Sequence, residues 1–515
     1  MIESPTRSAV RQANRPSPAR RLLDSLQSSP LPWEIAPAAA LALALVLIYF
    51  RSAPVVGLPF DDSYISLLFA RNLAHHGILT FDGKTASAGA TSILHVALLA
   101  VPIKLGIDPT KASLGLGIAL QLGLVGAVYW LARTMFHDRL AAFFAAIGVA
   151  VTGYLAFDAL NGMETTLFLL VTTATAAAYF RARTDRDYLI AGMLGAVSVL
   201  TRPEAALLLV SMALYEAIDP QRSTPLVSIA TVRRLALLGA PAVVVLGALA
   251  IFYGATTGSI TPGTATAKVY FFREFELPWQ ARGDLTQAGL TNFIAPLAPF
   301  FALAALSIRR RETLLFAFFW AGLMFAYFML FPGGLSHYWY RYQHVFLPPL
   351  LVFAGAGLAS LIRAVRWRSG DALAAAVIGA VLIAGILFQY NNFRNHYVDE
   401  VSLNDTRGIA MARYLRDTLP PGATVATHDI GDVGYFSGHP VIDLVGLVNP
   451  DVVEYHSGRR LRQYVDRTKP DYVVLFPSWE FAFLHLALDP FVFETVREFP
   501  GANEPYILYR THFAG

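Results

Sequence analysis

Two adjacent carboxylates, Asp61 and Asp62, stand in the stretch "GLPFDDSYISLLFARNLAHHG" (57–77), just after a long apolar run. Like charges side by side push one pKa upward, which suits a general base. The same pair would also serve as an N-cap for a helix beginning "SYISLLFARNL", worth about 1 kcal/mol. That stretch has no clean amphipathic stripe, as expected of a half-buried surface helix. Cations that could meet an anion follow at wide spacing: Arg202 in "TRPE", Lys268 in "TPGTATAK", and Arg341 and His344 in "SHYWYRYQH". Arginine can fork around a phosphate, and lysine can approach one as a point charge. Each also has a plainer reading. Arg202 could snorkel or pair with Glu204, and Lys268 could be a solvated loop residue. The rings of Tyr338, Trp339, Tyr340 and Tyr342 could form an interfacial belt or stack on a sugar beside the arginine. Glu164 in "NGME" complements the dipole of the helix it opens, or contacts substrate hydroxyls. His75 and His76 lack an accompanying spaced set of carboxylates and histidines, so no metal site is expected. The chain has no cysteine, which excludes disulfides and thiolate chemistry.

The elements that must position these residues lie in a membrane. Of the 515 residues, 55% are hydrophobic and 15% charged, against roughly 25% charged in soluble domains. Runs such as Ile35–Phe50 and Leu235–Tyr253 carry no charge and approach the ~20 residues needed to cross a bilayer. Arginines cluster in a Pro- and Ser-rich tail (1–34) and in short basic linkers between apolar runs, the positive-inside pattern of a protein whose partner is the bilayer; no nucleic-acid partner is expected. The tail reads as disordered and cytoplasmic rather than as a cleaved signal peptide, because its basic region is long and no small-residue cleavage site follows.

Basic linkers at Arg133–Arg139, Arg181–Asp187, Gln221–Arg234, Arg309–Glu312 and Arg363–Arg368 are separated by pairs of apolar runs. If all face the cytoplasm, the chain crosses about eleven times, with the N-terminus inside and the C-terminus outside. Ile93–Leu105 is too short to cross, contains Pro102, and is expected on the outer surface. By this parity the polar loops holding Asp61, Asp62, Asn161–Glu164, Thr201–Glu204, Thr261–Lys268 and Ser336–His344 all face outward. One extracytoplasmic site accounts for them.

From 390 onward the composition is that of a globular domain. "DTRGIAMARYLRDTL" (405–419) has helical spacing and stops at Pro420–Pro421–Gly422. "ATVATHD", "HPVIDLVG" and "DYVVLFP" read as buried strands, with a helix over 458–468 between the last two, hence an α/β domain (390–515) walling the site or binding an acceptor.

In order along the chain, "FDDSYISLLFARNLAHHG", "NGMETTLFLL", "LTRPEAALLLV", "TPGTATAKV", "YRYQHVFLPPLL" and "YFSGHPVIDLVGLVNPDV" resemble the GT-C superfamily of integral-membrane glycosyltransferases, nearest the mycobacterial terminal arabinofuranosyltransferase branch. One departure is Pro262–Gly263–Thr264, where members of that branch tend to read Pro-Asn-Thr. The resemblance implies a polytopic α-helical membrane protein with a GT-C-like catalytic region (35–389), outer interfacial helices and a C-terminal extracytoplasmic α/β domain. It implies a bacterial plasma-membrane enzyme that moves a sugar from a polyprenyl-phosphate donor to a glycan, glycolipid or protein acceptor. It places the base at the Asp61–Asp62 motif, here read as Asp61 with Asp62 orienting the acceptor. The donor phosphate falls to Arg202, Lys268, Arg341 and His344, and further substrate contacts to Glu164, Glu204, Tyr340 and Tyr342. No cofactor or metal is expected, because the lipid-linked sugar is itself the substrate and phosphate is already a good leaving group. The rival reading is a multi-pass transporter of a lipid-linked or anionic substrate. Transporters tend to show internal repeats and ionisable residues at the midplane, and neither is evident here.

Overall fold

The computed structural model describes residues 33–218, 228–258, 260, 263–308, 311–364, 369–501 and 504–513. The basic tail expected over 1–34 lies outside them apart from Trp33 and Glu34, and so do much of the linkers at 221–234, 309–312 and 363–368.

The expected apolar runs form helices, one of them interrupted. Among the described residues, seven helices are long and apolar enough to cross a membrane: Ile35–Ser52, Pro109–Phe136, Ile229–Thr256, Trp279–Ala304, Thr313–Leu330, Pro332–Ala364 and Ala376–Thr418. The protein is a polytopic helical membrane protein. Thr165–Arg181, Asp185–Thr201 and Ala206–Ile218 are shorter. The first apolar run after the basic linker Arg133–Arg139 breaks at Thr152, whose extended backbone (ψ 112°) separates Arg139–Val151 from Gly153–Asp158. Ile93–Lys104 is a separate short helix, as expected from its length and Pro102.

Small residues let the helices approach closely, the usual device where lipid removes the hydrophobic contrast between them. Arg139–Val151 meets Leu347–Ala364 through Ala141, Ala145 and Gly355, and a Cβ on Gly355 would lie 2.5 Å from the Ala145 nitrogen. At the end of the bundle where Ile35–Ser52 begins, Arg139 makes a two-pronged ion pair with buried Glu34, both contacts at 2.6 Å.

The helix Ser369–Leu403 continues through a π-turn (Asn404–Ile409) into Ala410–Thr418, so the connection to the tail is one helical rod. Beyond it lies a five-stranded sheet in the order β2-β1-β3-β5-β4, with β1 Val425–Thr427, β2 Val441–Asp443, β3 Tyr472–Leu475, β4 Phe493–Phe499 and β5 Tyr506–Thr511. The first three strands are parallel, with Ala426 opposite Ile442 and Val473. These are the three expected strands. β5 runs antiparallel to both β3 and β4. The expected helix over 458–468 is shorter, Leu461–Thr468. Ala426, Ile430, Leu444 and Leu447 of this tail share one buried cluster with Leu58, Tyr64 and Phe69, so the sheet domain is packed onto the segment that carries the two aspartates.

Candidate active site

Asp61 and Asp62 open the helix Asp61–His76, which ends at Gly77 in the left-handed conformation that glycine accepts without strain. The N-cap is Phe60, and neither aspartate caps its own helix, contrary to that expectation. The Asp61 carboxylate instead accepts the N–H of Gly431 (2.8 Å) and of Asp432 (2.6 Å), the opening residues of the tail helix Gly431–Phe436. Tyr64 continues this contact with ring packing on Phe436 and Tyr435, and Arg71 lies over the Tyr435 ring at 4.5 Å. Burial, together with the nearby Asp432 and Asp429 charges, holds the Asp61 carboxyl well above the ordinary carboxylate range.

Asp62 faces the other way. Its Oδ2 lies 3.3 Å from Lys268 Nζ and 3.8 Å from Arg341 Nη2. Burial acts to raise its pKa, but Lys268 and Arg341 outweigh it and hold the group below the usual value. Lys268 is raised in turn: burial works against its charge and the Asp62 carboxylate overcomes that.

Arg202 is the extended residue between Asp185–Thr201 and the Pro203 turn, where the chain leaves its helix with an arginine at the boundary. It lies 3.3 Å from Glu204 and 3.8 Å from Glu164. Despite its burial, Glu164 is held below the ordinary carboxylate range by Arg341 and Arg202. The Tyr342 ring sits between the two guanidinium groups, 4.6 Å from Arg202 and 4.8 Å from Arg341. Both arginines are nearly fully buried, and the Nε of each has no hydrogen-bond partner. Buried donors of this kind are costly unless something accepts from them.

These groups line one cavity of about 280 Å³, together with Thr91, Thr264, Glu164 and Glu204. Its other wall is apolar: Leu323, Ala326 and Leu330 of the membrane helix Thr313–Leu330, with Phe331. Asp62 lines the adjoining space beside Thr91, Glu164, Lys268 and Arg341.

Of the residues singled out in the sequence, Asp62, Glu164, Arg202, Glu204, Lys268, Arg341 and Tyr342 therefore converge. Asp61, His344 and Tyr340 do not face the cavity. His344 is buried, with Nδ1 2.6 Å from Asp158 Oδ2 and Nε2 donating to the Trp339 carbonyl at 2.9 Å. It braces Tyr338, Trp339 and Tyr340, three consecutive residues with φ of +43°, +57° and +69°. Left-handed backbone costs an L-residue roughly 1–2 kcal/mol, so this turn persists only because its surroundings hold it. Tyr340 lies toward Phe293, 6.5 Å between ring centroids. Asp158 also accepts from Asn161 Nδ2, and the Asn161 carbonyl accepts from Ser63, the neighbour of Asp62. Sequence reading missed Asp158, Thr91 and Tyr327, which lie outside the quoted motifs, and it did not single out Thr264 within "TPGTATAK". Among the described residues no group of three or more His, Cys, Asp or Glu is placed to hold a metal ion.

Residues 92–257 match the family described as dolichyl-phosphate-mannose-protein mannosyltransferase, and residues 390–510 match a domain of unknown function (DUF8728). No curated protein sequence matches the chain. Among solved structures, ArnT from Cupriavidus metallidurans in the apo state is similar at a TM-score of 0.55 and 15% identity, over 91% of this chain and 97% of that one. The same enzyme bound to undecaprenyl phosphate matches at 0.55 and 13%, over 93% and 98%. The Archaeoglobus fulgidus oligosaccharyltransferase tethered with an acceptor peptide matches at 0.54 and 13%, over 92% and 74%. The mycobacterial arabinofuranosyltransferase AftD matches at 0.50 and 14%, over 95% of this chain but 42% of that one. At such identities the structural likeness is one of fold. The chain thus shares the fold of these membrane glycosyltransferases, and its residues 92–257 resemble the mannosyltransferase family.

Proposed function

We propose that the chain transfers a sugar from a polyprenyl-phosphate donor to an acceptor hydroxyl, with Asp62 as the base. The observation that carries this reading is the pair of buried guanidinium nitrogens without a hydrogen-bond partner, Arg202 Nε and Arg341 Nε, beside Lys268 in a cavity whose opposite wall is membrane-helix apolar surface. A phosphate on a lipid tail satisfies both halves of that surface. The acceptor oxygen attacks the anomeric carbon, the bond from that carbon to the phosphate oxygen breaks, and the hydroxyl proton passes to Asp62. Protonation neutralises the carboxylate that engages Lys268 and Arg341. The two cations are then released toward the phosphate in the step in which it gains a negative charge. Positive charge thus comes from side chains, without a metal, and a single displacement with one base inverts the anomeric centre.

Asp61 docks the tail and is not the base. The site opens on the outer face of a bacterial plasma membrane, with about eleven spans over 35–389, a cytoplasmic N-terminus and an extracytoplasmic domain over 390–515. The likeness to AftD supports arabinofuranose as the donor sugar to try first. The test uses purified protein in lipid with radiolabelled polyprenyl-phosphate sugars. Release of polyprenyl phosphate from one donor, lost in Asp62→Asn, supports the reading. If no donor is bound or consumed, the reading fails.

A further inference from the structure

A second cavity, of about 310 Å³, lies where the loop after the Asp61–His76 helix meets the tail domain. That volume falls at the lower end of small-molecule sites, roughly 300–1,000 Å³. One side is Asp82, Thr85 and Ser87, and the other is the segment Gly446–Pro450 that follows β2. Its rim, at Asp82, Thr85, Ala86 and Pro450, is exposed, while Ala88, Gly263, Gly446 and Leu447 at its base are buried. Leu447 lines this cavity and also the space that holds Asp62, so one residue borders both.

Both walls are built rather than loose. Asp443, fully buried at the end of β2, accepts the N–H of Val445 (2.8 Å), Gly446 (3.0 Å) and Val448 (2.8 Å), which fixes the loop that presents Leu447. Gly446 has φ +97°, a conformation that favours glycine. Across the seam, a Cβ on Gly89 would lie 2.9 Å from the Leu447 carbonyl, so the walls touch backbone to backbone. Asp82 holds its own loop by accepting from the N–H of Lys84 and of Thr85, each at 2.8 Å.

The two cavities differ in chemistry. The first has the three cations and a wall of membrane-helix side chains. The second is entered from an exposed rim, and its polar groups are hydroxyls (Thr85, Ser87, Thr256), the Asn449 amide, backbone and the Asp82 carboxylate. Among the described residues no Lys, Arg or His lines it. Such a surface hydrogen-bonds hydroxyls in both directions, offers an anion no counter-charge, and gives a lipid chain no continuous apolar wall. We infer that this second cavity is the acceptor site, that it takes a neutral polyhydroxylated glycan, and that Leu447 gates the passage of the reacting hydroxyl to Asp62.

This inference rests on the glycosyl-transfer reading above, and the test separates the two. The chain lacks cysteine, so Ser87→Cys gives a single reactive thiol at the cavity wall. The full-length protein in lipid is given radiolabelled donor and cell-envelope polysaccharide separated by ion exchange into neutral and anionic pools, with a Ser/Thr-rich peptide alongside. Label is expected in the neutral pool. Reaction of Ser87→Cys with a bulky maleimide, and separately Leu447→Trp, should each raise the acceptor KM roughly tenfold or more with the donor KM unchanged. Label in the anionic pool or on the peptide overturns the inference. So does full transfer by both blocked proteins. Absence of donor consumption with any pool instead removes the transferase reading itself.

Discussion

Asp61 and Asp62 are consecutive, yet their carboxylates serve opposite surfaces. Asp61 accepts the first two N–H groups of the tail helix at 2.8 and 2.6 Å, and Asp62 faces Lys268 at 3.3 Å and Arg341 at 3.8 Å. The helix turn of about 100° per residue makes this division automatic. Asp62→Asn is expected to lower kcat by about 10²–10⁴-fold, the usual worth of a general base. Asp61→Asn keeps a carbonyl oxygen that can still accept from the tail helix, so kcat should fall by less than about tenfold. Single-turnover release of polyprenyl phosphate distinguishes the two. Equal losses would contradict the division of labour.

The charges around Asp62 fix the sign of a pH effect. A carboxylate held below its ordinary value by Lys268 and Arg341 stays ionised as the pH falls, so the acid limb of kcat/KM should lie below the ordinary carboxylate range. Lys268→Met removes the neighbour contributing most to that depression and leaves the burial that opposes it. The Asp62 pKa must then rise, and the acid limb should move to higher pH. A pH–rate profile of the variant that keeps the wild-type limb would show that Asp62 is not the titrating group.

Much of this arrangement was legible in sequence. Apolar runs with basic linkers gave the membrane helices, and the ordered motifs gave seven of the ten residues proposed for the site. The three parallel strands were marked by short apolar runs between Gly, Asp and Pro. Other features depend on contacts far apart in the chain. Which aspartate faces Lys268 is set by the tail helix at 431, some 370 positions away, and no local pattern encodes that. β4 was missed because it alternates poorly: its two ends are buried and its middle is exposed. His344 sits in an aromatic, arginine-containing stretch that reads as a binding loop. Its partner Asp158 lies 186 positions earlier with no motif around it.

Asp158 and His344 are positioning residues for Arg341. They hold the left-handed turn Tyr338–Tyr340 that immediately precedes it. His344→Ala frees the Trp339 carbonyl and lets the turn relax, which moves the Arg341 guanidinium away from the cavity. The donor KM is expected to rise about tenfold or more while the acceptor KM changes little. Asp158→Asn should act in the same direction but more weakly, since an amide can still accept from Asn161. A merely structural defect would lower the amount of folded enzyme and leave both KM values in place.

The junction of tail and catalytic helix can be tested at Gly431. A Cβ there would collide with the Asp61 carbonyl oxygen and lie 2.8 Å from Asp61 Oδ2, in backbone that a side chain cannot easily push aside. The residue is needed for close approach rather than for its φ, which is not in the left-handed region. Gly431→Ala should therefore leave the sheet intact and force the tail helix off Asp61, at a cost of about 1–3 kcal/mol typical of overpacking. The hydrogen bonds to the Gly431 and Asp432 N–H groups would lengthen together, and the seam between Gly89 and Leu447 would open. Limited proteolysis should then release the segment after 403 at lower protease concentration than in wild type. Transfer should fall more than donor binding, because the cations of the donor cavity come from the membrane-side helices and loops. Loss of donor binding to the same extent would mean that the tail also shapes the phosphate site.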